Sequence, residues 1–91
     1  MTLFDALYNW LQLKIVSEAR PDDEAAKISF EHVGDILGEH QVKVTDVKKD
    51  EMKYYITYEH EGAEKEHQVP VETAEILLQF IEQNPERYEF K

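Results

Sequence analysis

The chain has 91 residues, a net charge of −10, no cysteine, 42% hydrophobic residues and ten aromatic side chains. That length and apolar content predict one folded α+β domain spanning residues 1–91, with no linker, repeat or low-complexity segment to divide it. The charge opposes direct binding to nucleic acid or an anionic membrane, and the missing cysteines exclude disulfides, thiolate metal ligands and a thiol nucleophile.

No apolar run reaches transmembrane length, and the N-terminus lacks the basic start and cleavage site of a signal peptide, so a cytoplasmic protein is expected. The acids are dispersed: residues 1–45 carry eight acids and four bases, residues 46–91 twelve and six. Such a distribution makes a soluble acidic surface.

Thr2-Leu3-Phe4-Asp5 has capping-box spacing and opens a helix expected to reach Ala19. Leu3, Phe4, Leu7, Tyr8, Leu11 and Ile15 follow helical spacing, while Trp10, Leu13 and Val16 widen the apolar side. Only Asp5, Asn9 and Gln12 form a polar stripe, so this surface wants cover on more than one side. Trp10 is the candidate anchor of a contact with another molecule; its alternative role is to close the core against the last helix.

Arg20-Pro21-Asp22-Asp23 ends that helix and starts a second, since acids suit a helix N-terminus. Ala26, Phe30, Val33, Ile36 and Leu37 form its core stripe, and Gly38 is placed as the C′ residue that closes it. Gln41 to Lys48 reads as a first strand. Val42 and Val44 share one phase and Val47 takes the other, which implies a bulge near Thr45-Asp46 or an edge strand covered on both faces.

Met52 to Val71 reads as a hairpin on which the rest of the chain is organised. Met52, Tyr54, Ile56 and Tyr58 alternate with Lys53, Tyr55, Thr57 and Glu59, and the return carries Ala63, Lys65, His67 and Val69 in the inward phase. A two-residue loop at Glu61-Gly62 sets Tyr54 against Val69, whereas a four-residue loop sets Ile56 there; both keep the same inward face. Pro70 ends the sheet, and a third helix runs to Asn84-Pro85 with Ala74, Leu77, Leu78 and Ile81 on one face and Ile76 and Phe80 beside them. The order is α-α-β-β-β-α, a three-stranded antiparallel meander with helices mainly on one face.

Chemistry-bearing motifs are few. The three glycines are isolated, so no phosphate loop is possible, and no cofactor or catalytic residue is expected. His32, Asp35 and Glu39 lie at i, i+3 and i+7, either a solvated helix face or a weak ligand set. His60, Glu61, Glu64, Glu66 and His67 crowd the hairpin tip, where they either gather a divalent cation or keep an edge soluble. His67 should face inward near Ile56 or Tyr58, hydrogen-bonded to a tyrosine or serving as a pH-sensitive latch.

Tyr55 and Thr57 fall on the face the helices leave open, and tyrosine suits an interface by its area and polar tip. With Trp10 and the tail aromatics Tyr88 and Phe90 they form a candidate protein interface. The expected function is therefore non-enzymatic protein–protein contact, with a protein partner or a second copy in a homodimer. The alternatives are an acidic inhibitor that mimics phosphates, and a metal-dependent role for the hairpin tip.

Overall fold

Thr2 starts the first helix as its spacing implies: its hydroxyl accepts from the Asp5 N–H at 3.2 Å. The computed structural model describes residues 2–83, and within them α1 spans Leu3–Ala19 and α2 Glu24–Glu39. Asp23 caps α2 by accepting from the Ala26 N–H at 3.1 Å, and its other oxygen holds Arg20 at 3.2 Å. Gly38 lies inside α2 rather than at C′. The chain leaves the helix at His40, and Gln41 takes the left-handed conformation (φ 61°) that closes it. Its N–H reaches the Gly38 carbonyl at 3.0 Å, one bond of a Schellman closure.

The sheet has order β1-β2-β3, with β1 at Val42–Lys49, β2 at Lys53–His60 and β3 at Ala63–Pro70. In the β1–β2 register Val44 faces Tyr58 and Asp46 faces Thr57, so Thr45 is the extra residue of a bulge. That single insertion brings Val42, Val44 and Val47 onto one face despite their broken alternation. The β2–β3 turn is the two-residue one: Tyr54 faces Val69, Ile56 faces His67, and Glu61 and Gly62 both have positive φ, at 53° and 78°. Two such residues define a type I′ turn, whose twist matches the strands.

Pro70 closes β3, and its successor N–H at Val71 donates to the Met52 carbonyl at 2.9 Å. Met52, expected in the inward phase, instead belongs to the turn before β2 and is 75% exposed. Asp50 shapes that turn by accepting from the N–H groups of Met52 and Lys53 at 2.8 and 2.7 Å.

The third helix is interrupted. α3 is a single turn, Val71–Ala74, and α4 runs Ile76–Gln83, with Glu75 between them. At that position the Glu75 side chain reaches Tyr54 and Lys49 of the sheet, while its N–H still donates to the Val71 carbonyl at 3.0 Å. The stop expected at Asn84-Pro85 lies outside the described residues.

One core joins Ala6, Leu7 and Leu11 of α1 and Leu37 of α2 to Val42, Tyr54, Ile56, Tyr58 and Val69 of the sheet and Ala74 of α3. A second, smaller cluster packs Val16 and Ala26 against Ile81, with Leu77 and Leu78 at its margin. Tyr8 ties the layers, its hydroxyl donating to the Thr73 carbonyl at 3.1 Å while accepting from Gln12 at 2.6 Å. The helices thus cover one face of the sheet. Among the described residues no helix is long and apolar enough to cross a membrane.

Candidate functional site

The opposite face of the sheet is built in three cross-strand rows. Lys48, Tyr55 and Gln68 form the first, Asp46, Thr57 and Glu66 the second, and Lys43, Glu59 and Glu64 the third. Every member is exposed except Tyr55 and Thr57, which are half-buried at the centre of β2. Their position follows from the pleat: with Ile56 turned to the core, both neighbours must point the other way.

Tyr55 is held in place. Its hydroxyl donates to Asp50 at 2.5 Å, and the Thr57 carbonyl accepts from the hydroxyl of the bulged Thr45 at 3.2 Å. The tyrosine hydroxyl, followed by the two backbone N–H groups, keeps the Asp50 carboxyl below its usual range, and the same bond raises the Tyr55 phenol. Lys53 donates to Gln68 at 3.2 Å and Gln68 to Glu66 at 3.1 Å, so a polar chain borders the tyrosine.

Trp10 stands elsewhere. It is half-buried between α1 and α2 with its ring 5.4 Å from that of Phe30, so the helix it closes against is α2, not the last one. Trp10 and Tyr55 therefore belong to separate surfaces. Tyr88 and Phe90 lie outside the described residues.

The hairpin-tip histidines and glutamates are divided by the pleat. His60 and His67 share the inward phase with Ile56, whereas Glu64 and Glu66 share the outward phase with Tyr55. His60 lies 3.7 Å from a Glu61 oxygen, and His67 stacks on Phe4 with ring centroids 5.1 Å apart. Phe4, rather than the expected tyrosine hydroxyl, is thus its partner, and burial lowers the His67 pKa. His32, Asp35 and Glu39 are all exposed on α2. Among the described residues no group of three or more His, Asp or Glu side chains is placed to hold a metal ion.

Two hollows flank the helices. A groove of about 510 Å³ has Leu13, Val33 and Leu77 in its walls, with the 65% exposed Ile28 and the polar Gln12 and His32 also lining it. A cleft of about 320 Å³ has Leu11, Ile15, Val47 and Leu78 in its walls and Lys14, Glu18 and Glu75 as its charges. There one Glu75 oxygen accepts from the Tyr54 hydroxyl at 2.8 Å and from Lys49 at 3.1 Å, with the Lys49 ammonium 5.3 Å from the Tyr54 ring centre.

These bonds hold Glu75 below the usual carboxylate range and Lys49 above the usual ammonium one, while burial first and then Glu75 raises Tyr54. At neutral pH the trio is an anion, a cation and a neutral phenol. None of the three is poised to exchange a proton near pH 7, so it acts as a clasp. Sequence reasoning passed over it, although one signal was present: Glu75 interrupts the apolar spacing of Val71, Ala74 and Leu78. In comparisons with known proteins, no protein family matches the chain, and neither a curated protein nor a solved structure matches it.

Proposed function

We propose that this protein acts without catalysis, by holding another protein against the uncovered face of its sheet, within the cytoplasm. The observation that carries this reading is the placement of Tyr55 and Thr57, half-buried and anchored at the middle of an otherwise exposed charged face. Asp50 has already restricted the tyrosine ring, so little side-chain entropy remains to be lost when a partner covers it. The rows of Lys, Asp and Glu around it supply a polar rim.

The test is retention from the native cell extract by wild type and by Tyr55→Ala, with circular dichroism to show that both are folded. A partner held by wild type and lost with Tyr55→Ala supports the reading. An unchanged set of retained proteins, or none, overturns it. Sedimentation of the same pair identifies a second copy as the occupant when wild type dimerises and the variant does not.

The acidic-mimic reading has one feature in its favour. Glu59 directly opposes Glu64 with Glu66 alongside, three carboxylates on one face. Binding of that kind weakens steeply with salt, which an apolar contact does not.

A further inference from the structure

Among the described residues β3 is an outer strand of the sheet, and its free edge can take a further strand. In a two-residue hairpin the residues flanking the turn, His60 and Ala63, form a hydrogen-bonded pair, and such pairs alternate along the ladder. Ala63, Lys65, His67 and Val69 therefore spend their backbone groups on β2. Glu64, Glu66 and Gln68 direct theirs to the edge.

The two edges of the sheet differ. β1 is interrupted by the bulge at Thr45 and carries Lys43, Lys48 and Lys49, features that discourage strand pairing. β3 keeps an unbroken register from Ala63 to Pro70, and its proline stands only at the last position. Its guard is charge alone. Glu64 and Glu66 are spaced two apart on the open face, and Glu59 stands behind Glu64. Among the described residues Glu59 and Glu64 have no ion-pair partner.

That charge also discriminates among occupants. Two copies joined edge to edge, antiparallel about a two-fold axis, must place the axis on a residue, because opposed residues point to the same face. Centring on Glu64 or Glu66 opposes identical carboxylates. Centring on Lys65 opposes two lysines and sets Glu64 against Glu66. The registers centred on Glu64, Lys65 and Glu66 thus oppose like charges, which is destabilising, whereas a basic strand meets Glu64 and Glu66 with opposite charge.

We propose that the β3 edge accepts, by strand addition, an extended basic segment of another protein. Its Lys or Arg side chains, two residues apart, lie beside Glu64 and Glu66, while its backbone pairs with Glu64, Glu66 and Gln68. This rests on the protein-contact reading above and names both the partner's chemistry and the strand it joins.

The probe is a short synthetic peptide alternating lysine with threonine or valine, set against its glutamate counterpart and followed by amide NMR. The lysine peptide should shift the Glu64, Glu66 and Gln68 amides and slow their exchange, and affinity should fall by roughly tenfold as salt is raised through the physiological range. Glu66→Pro removes an outward N–H without touching the β2 ladder, a place where proline is tolerated, and should weaken binding roughly tenfold or more. If circular dichroism shows that variant to be unfolded, the Glu64→Gln/Glu66→Gln pair serves instead and should lose most of the salt dependence.

Unmoved edge amides, equal binding of the glutamate peptide, or full affinity in a folded Glu66→Pro each overturn the proposal. If the edge amides stay silent while Tyr55→Ala still releases a partner from extract, strand addition falls and the protein-contact reading stands. If both experiments are negative, both fall.

Discussion

Ile56→Ala tests the fold at its centre. Ile56 is fully buried on the middle strand, between Val47 and His67, in the cluster that contains Leu7, Leu11, Tyr54 and Tyr58. The substitution removes about three methylene equivalents, at about 0.8 kcal/mol each. A residual cavity of about 40 Å³ adds about 1 kcal/mol at about 24 cal/mol per Å³. The expected loss is thus about 3–4 kcal/mol from a total of about 5–10 kcal/mol for a chain of this length.

Urea denaturation followed by circular dichroism reads this directly, and the melting temperature should fall by roughly 15–25 °C. Tyr55→Ala is the matched control. It lies one residue away on the opposite face, and its exposed bond to Asp50 limits the loss to about 1 kcal/mol. A loss at Ile56 below about 0.5 kcal/mol, or one smaller than that at Tyr55, would refute the strand phase and with it the open face.

Three further outcomes can be measured in the same way. Gln41→Gly and Glu61→Asn should each raise stability by about 0.5–1 kcal/mol, because both native residues hold positive φ, at 61° and 53°. Burial lowers the His67 pKa, so the stability tied to its neutral ring is complete above the unfolded value near 6.5 and is lost as pH falls through it toward the folded value. His67→Phe keeps a ring against Phe4 and should flatten that limb of a pH–stability profile between neutrality and the carboxylate range. Tyr54→Phe should cost about 1 kcal/mol by removing a donor to Glu75. It should also weaken the acid limb at lower pH, because the lowered Glu75 pKa contributes stability above its unfolded value that is lost as pH falls through the folded one.

Much of the architecture was legible from periodicity. Alternation at Tyr54, Ile56 and Tyr58 identified the inward face of β2, and the phase slip between Val44 and Val47 left a bulge near Thr45-Asp46 or a doubly covered edge strand, of which the structure has the bulge, at Thr45. These patterns are local, and local patterns survive in a sequence. Gly38 misled because glycine is the usual C′ residue, whereas here Gln41 bears the left-handed conformation and the helix runs on through Gly38. Met52 continued the alternation on paper, but Asp50 had already bent the chain there.

The candidate site was less visible for a different reason. Tyr55 and Thr57 could be assigned a face by parity alone. The partners that hold them, Asp50 and Thr45, come from a turn and a bulge whose geometry alternation does not encode. The clasp at Glu75 is more remote still, since it joins β1, β2 and the α3–α4 break. The hairpin-tip cluster shows the converse. Proximity along the chain made His60, Glu64, Glu66 and His67 look like one group, and the pleat sends them to opposite faces.

The bond from Tyr8 to Thr73 spans 65 positions, and it marks an order of events during synthesis. α1 leaves the ribosome before the sheet and the later helices, yet Leu7 and Leu11 share a cluster with Tyr54, Ile56, Val69 and Ala74, and Val16 packs with Ile81. The strands need only their immediate neighbours to pair, so the meander can form while the chain is still growing. The first helix cannot complete its packing until Ala74 and Ile81 have been made. Until then part of its apolar side has only α2 against it, and chaperone engagement should concentrate on residues 3–16 of chains stalled before Ala74.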